Sequence, residues 1–170
     1  MSGGPIIKGP AWWFKGGVRG RYIPVASAAA TVTIKPGQSG FTFLHDRASG
    51  VAYTLPTPVV GLQYSFLTTV LQTSGTASVH VDASSTAILI GGVEMLSGND
   101  VTPSSTLGPF AFTSPAASSF VQIRHNGTTT GGGIGSLFTC LCVTAGASPL
   151  WMVTGTLLSP SGSLATPFST

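Results

Sequence analysis

From about Ala30 onward, apolar and polar residues change places in short runs rich in Val, Ile, Thr, Phe and Tyr, interrupted by Gly, Pro, Ser and Asn. Such runs read as strands separated by turns. They predict strands at 31–34, 41–45, 51–55, 63–71, 78–82, 87–90, 93–96, 110–113, 120–125, 136–143 and 150–157. A spacing of about ten residues suits two packed sheets, so the expected class is all-β, an antiparallel β-sandwich or jelly roll. Helix is nearly excluded, because residues 26–30 (ASAAA) are the one stretch of good formers and too short to stand alone. Lys35-Pro36-Gly37-Gln38 predicts a type II turn, with Pro and Gly at its two central positions. Asn126-Gly127 suits a tight hairpin or a strand end. No internal repeat stands out.

The first 27 residues follow neither the helical nor the strand period. Gly3, Gly4, Pro5, Gly9, Pro10, Gly16, Gly17, Gly20 and Pro24 would break any regular element. They predict an extended N-terminal arm, which divides the chain into an arm at 1–29 and a sandwich body at 30–170. Ile6, Ile7, Trp12, Trp13, Phe14 and Tyr22 make this arm too apolar for a solvated tail, so it should dock on something.

Charge sharpens the picture. The chain has 7 Lys and Arg and 4 Asp and Glu in 170 residues, whereas soluble domains ordinarily carry about a quarter charged residues. A surface so poor in charge points to burial against other protein. The positive charges gather in the arm, at Lys8, Lys15, Arg19 and Arg21, and all four acids lie beyond residue 45. The most apolar stretch, 86–96, is interrupted by Gly91, Gly92 and Glu94 and falls short of the ~20 residues needed to span a membrane. No secretory signal is evident at the N-terminus, so synthesis in the cytoplasm is expected.

Candidate chemistry is sparse. Gly37-Gln38-Ser39-Gly40 only approximates a nucleophile elbow, and no phosphate-binding glycine frame is present. A carboxylate pair would have to come from Asp46, Asp82, Glu94 and Asp100, none of which has a distinctive setting. His80 and Asp82 should share one strand face but lack a third partner, and His45 and Asp46 should point to opposite faces. Cys140 and Cys142 also share a face, at a separation that disfavours a disulfide, so they read as reduced, buried thiols. Asn126-Gly127-Thr128 matches a glycosylation sequon, a chance match for a chain that is not secreted. These residues predict no enzyme, no cofactor and no metal. In the arm, cations beside Trp12, Trp13 and Phe14 could stack bases and contact phosphates, but four charges give a weak, salt-sensitive attachment. Aromatic anchors beside Arg fit a protein interface better, and nucleic acid is the less favoured partner.

Several segments together resemble a β-rich module of tailed-bacteriophage virion proteins. They are Thr54-Leu55-Pro56, Gly61-Leu62-Gln63-Tyr64-Ser65-Phe66, Ile90-Gly91-Gly92, Ser119-Phe120-Val121-Gln122-Ile123 leading to Asn126-Gly127, and Leu150-Trp151-Met152-Val153-Thr154-Gly155. The resemblance covers about residues 50–158, and the Pro/Ser stretch 99–119 and the two-cysteine strand depart from the module. It implies a head decoration or cement protein, a head fibre or a tail appendage, commonly trimeric. The expected role is therefore a capsid decoration protein, made in the host cytoplasm and located on the virion surface. Its arm would meet the major capsid protein through Lys8, Trp12, Trp13, Phe14, Lys15, Arg19, Arg21 and Tyr22. The alternatives are a tail or fibre component that binds a host receptor, and a small jelly-roll coat protein whose arm contacts the genome.

Overall fold

The computed structural model describes residues 22–24, 31–97, 109–114, 119–160 and 164–170. Among the described residues twelve strands form two sheets that pack face to face. They are β1 (Tyr22–Pro24), β2 (Thr31–Thr33), β3 (Phe41–His45), β4 (Ala52–Thr54), β5 (Gln63–Thr68), β6 (Ala77–His80), β7 (Ile88–Ser97), β8 (Phe110–Ser114), β9 (Gln122–His125), β10 (Leu137–Thr144), β11 (Leu150–Ser159) and β12 (Phe168–Ser169). One sheet has seven strands in the order β1-β3-β5-β10-β11-β7-β8, and the other has five in the order β12-β9-β6-β4-β2. The all-β sandwich expected from the sequence is thus present, and most predicted strands fall within a residue or two of the observed ones.

The pairing differs from the antiparallel expectation: both sheets are mixed. Strands β1, β3 and β5 are mutually parallel in one sheet, and β2, β4 and β6 are mutually parallel in the other. From β1 to β6 consecutive strands alternate between the sheets, so this part of the chain winds as a flattened coil. Tyr22 lies beside Thr42 and Thr42 beside Ser65; in the other sheet Thr31 lies beside Ala52 and Ala52 beside Ser78. Each circuit takes roughly 20 to 26 residues, within the range of solenoid repeats. Antiparallel β9 and β10 close the two sheets beside β6 and β5.

The coil stacks like residues on like. Phe41-Thr42-Phe43-Leu44 lies beside Tyr64-Ser65-Phe66-Leu67, and Val32, Tyr53, Val79, Ile123 and Phe168 form one row across the five-stranded sheet. Phe43 stacks on Phe66 with centroids 5.6 Å apart, and Phe66 on Phe138 at 5.0 Å. Alternation along each strand sends Phe43, Tyr64, Phe66, Phe138, Trp151 and Val153 inward, where all are buried. Trp151 is fully buried and packs against Tyr64 at 5.9 Å.

Three local readings are corrected. Residues 22–24 belong to a strand rather than to the irregular arm; Pro24, which has no amide hydrogen to donate, is accommodated because β1 is an edge strand. Residues 36–38 form one turn of 3-10 helix in which the Gln38 amide donates to the Lys35 carbonyl, and Gly37 has no positive φ, so the turn is not type II. The runs at 87–90 and 93–96 are one strand, β7, which continues through Gly91 (φ 99°).

Asn126 ends a strand rather than forming a two-residue hairpin. Its Oδ1 accepts the amide hydrogens of Thr128, Thr129 and Thr130 at 2.9, 2.8 and 3.0 Å, which organises the loop into β10. Replacing it with Ala leaves three donors without this acceptor, and Asn126→Ala should lose about 1–2 kcal/mol by urea denaturation. Asn126→Asp keeps the acceptor and should lose less.

Candidate assembly interface

The two outer faces of the sandwich have different chemistry because the strand alternation places different residues there. On the five-stranded sheet the outer rows are Thr31, Ala52, Ser78 and Arg124, and Thr33, Thr54, His80, Gln122 and Ser169. These groups bond to one another: Ser78 Oγ meets His80 Nε2 at 2.6 Å, and Arg124 Nη1 donates to Ser169 Oγ at 3.4 Å. This face is polar and suited to water.

The outer face of the seven-stranded sheet is apolar or hydroxylic. One row runs Leu44, Leu67, Leu137, Thr156, Glu94, Ala111. The next runs Thr42, Ser65, Thr139, Thr154, Gly92, Thr113, with Ser65 and Thr139 hydroxyls 2.9 Å apart. A third runs Gln63, Leu141, Met152, Ile90. Among the described residues Glu94 is the one charged side chain on this face. Leu96 and Leu137 are exposed there, and Leu44, Leu67, Leu141 and Met152 are half-buried. A broad sheet face of this composition is a candidate interaction surface.

Of the arm residues expected to bind a partner, Lys8, Trp12, Trp13, Phe14, Lys15, Arg19 and Arg21 lie outside the described residues. The backbone of Tyr22 pairs with that of Thr42 at the edge of the seven-stranded sheet. Tyr22, the first described residue, therefore lies at the margin of the sheet whose outer face is apolar and hydroxylic. That face was missed in the sequence, although the signal was present: of the strand residues, only Glu94 and Arg124 carry a Lys, Arg, Asp or Glu side chain.

Several of the chemical candidates bond within turns or lie buried, and Asp100 lies outside the described residues. Asp82 accepts from the Ser84 amide (2.9 Å), the Ser84 hydroxyl (2.8 Å) and the Thr57 hydroxyl (3.1 Å), and the Ser84 bonds hold its carboxyl below the usual range. Its bonds serve a turn, while His80 is bonded to Ser78. Ser39 Oγ accepts from the Gln63 amide at 3.1 Å and so anchors a turn to β5. Cys140 and Cys142 are buried free thiols, with the Cys140 thiol pushed up by burial alone. His45 turns inward and Asp46 outward, as the strand alternation requires. Among the described residues no three His, Cys, Asp or Glu side chains converge on a point that could hold a metal ion, and no described helix is long and apolar enough to cross a membrane.

Residues and geometry thus define an all-β sandwich with one polar outer face and one apolar and hydroxylic outer face. No family model, curated protein or solved structure matches the chain.

Proposed function

We propose that this protein is a non-enzymatic structural component of a virion, a capsid decoration or cement protein. Copies of it associate through the outer face of the seven-stranded sheet, and the arm attaches the assembly to the major capsid lattice. The observation that carries the reading is the gathering of exposed and half-buried Leu44, Leu67, Leu96, Leu137, Leu141 and Met152 on that face beside a single charge, Glu94, a composition closer to an interface core than to a solvated sheet. The bacteriophage-module resemblance supplies the virion setting. Trimerisation would present three arms from one platform, and the second and third attachments would gain from tethering. Trp12, Trp13 and Phe14 would supply apolar anchors, with Lys8, Lys15, Arg19 and Arg21 meeting acidic capsid surface and Tyr22 lying where the arm joins the body.

Oligomeric mass and co-sedimentation with genome-free expanded capsids test this reading. The full chain should be a trimer that pellets with capsids, and removal of residues 1–21 should abolish pelleting while leaving the trimer. A trimer indifferent to capsids would move the assignment to a receptor-binding appendage, and closed particles would make it a coat protein. Leu141→Lys with Met152→Lys should weaken self-association at least about 100-fold, because the added charges would have to be desolvated at the interface. The monomer's urea midpoint should change little; an unchanged oligomeric mass would remove this face from the assembly.

A further inference from the structure

One group of polar atoms between the sheets has no part in the interface. His45 ends β3 in the seven-stranded sheet, and Tyr53 of β4 and His125 of β9 come from the five-stranded sheet. All three are more than nine-tenths buried, with 5%, 3% and 6% of their surface exposed. Together with Phe66, Val79 and Phe138 they line a cavity of about 10 Å³. Both ring nitrogens of His45, Tyr53 Oη and His125 Nε2 are shut from solvent with no hydrogen-bond partner among the described residues. The His125 ring sits edge-on to Phe138 at 5.1 Å, which fixes its plane.

Four buried polar atoms left unpaired in one place would be a costly core feature. The cavity is too small for an organic ligand. No carboxylate lines it, so a divalent cation would meet two imidazoles and a phenol with no compensating charge. A water molecule fits: it needs about 10–15 Å³ and two to four polar partners, and it can donate twice and accept twice. We propose that this cavity binds one structural water, shared by His45, Tyr53 and His125, which bridges the two sheets and makes this layer the acid-labile point of the sandwich.

Acid lability follows from the donor and acceptor count. A neutral imidazole has one of each, but a protonated ring has two donors and no acceptor. Two protonated rings at one small cavity would also repel. Burial holds the His125 ring down at about 3, aided by His45. Burial also lowers His45, aided by Arg47 and opposed by Asp46. Burial keeps the Tyr53 phenol protonated, so it remains a donor. In the unfolded chain both histidines protonate below their ordinary value of 6.5. Their contribution to stability is therefore complete above that pH and is lost as pH falls from there toward the folded values.

A crystal structure at pH 8 should show one water within hydrogen-bonding distance of at least two of the named atoms. An empty cavity, or an anomalous signal from a metal, would overturn the proposal. Imidazole ¹⁵N resonances of the intact protein provide the second test, with His80→Gln as background because His80 also titrates low through partial burial and Arg124. Both rings should titrate below 6.5 in the folded state, His125 at about 3. Meanwhile the unfolding constant should rise about tenfold per pH unit for each ring, approaching a hundredfold for the two together. Titration of either ring near 6.5 with the fold intact would refute the latch. His125→Phe should remove one of the two tenfold factors, and an unchanged slope would count against the proposal. If that variant does not fold, the ring titration of the parent still decides.

Discussion

Trp151→Ala is expected to leave the protein barely folded. Trp151 is fully buried near the start of β11, flanked by β10 on one side and β7 on the other, and its ring packs against Tyr64. Truncation removes the largest side chain of the core and opens a cavity where two of the longest strands meet, which should cost about 3–5 kcal/mol. Domains of this size hold about 5–15 kcal/mol in total. Trp151→Phe should cost far less: the indole Nε1 is buried without an acceptor among the described residues, so the exchange removes a polar group that gains nothing from its place. Chemical denaturation of the two variants gives the comparison, and equal losses would mean that the indole has a partner in solution.

Gly91→Ala should be nearly as damaging, for a different reason. Gly91 has φ 99°, a region that side chains other than Gly rarely occupy, and a β-carbon there would run into the Val153 carbonyl oxygen of the neighbouring strand. The alanine must either hold a strained backbone or push apart β7 and β11, which pair in parallel from Ile88 beside Leu150 to Ser97 beside Ser159. A loss of about 3 kcal/mol or more is expected. Gly37→Ala is the matched control. Nothing lies within 4 Å of an added β-carbon at Gly37, and its φ is ordinary, so that variant should be neutral or gain about 0.4–1 kcal/mol. Similar losses in both variants would show that the Gly91 clash is relieved at little cost.

Strand positions were legible because Val, Ile, Thr and aromatic residues alternate with polar ones whichever way the neighbouring strand runs. For the same reason strand direction was not legible. The coil did leave a trace: 41–44 and 64–67 read FTFL and YSFL, and 31–34, 52–55 and 78–81 read TVTI, AYTL and SVHV. Four-residue units at unequal spacing and with interchangeable hydroxyl and apolar residues escape notice until the register aligns them. Composition foretold a surface poor in charge, and each outer face indeed carries one charged strand residue, but only the registers show that the exposed and half-buried leucines gather on one of them. The water cavity was hidden altogether, since His45, Tyr53 and His125 converge from strands far apart in the chain. His45 was legible only as the neighbour of Asp46 on the opposite strand face, and its burial comes from the side of the sheet it faces.

The coiled path of β1 to β6 also sets how this molecule can change size. Every circuit lays one strand in each sheet, so a duplicated circuit at the arm end would widen both sheets together by about 4.8 Å. The hydrogen bonds already present from β3 to β11 would be untouched, and the added residues would inherit a row of like side chains to stack on. Duplication of the β10–β11 hairpin would instead widen one sheet and leave the new strands without a facing layer. The fold therefore has a preferred direction of growth, and it is the side on which Tyr22, the first described residue, lies.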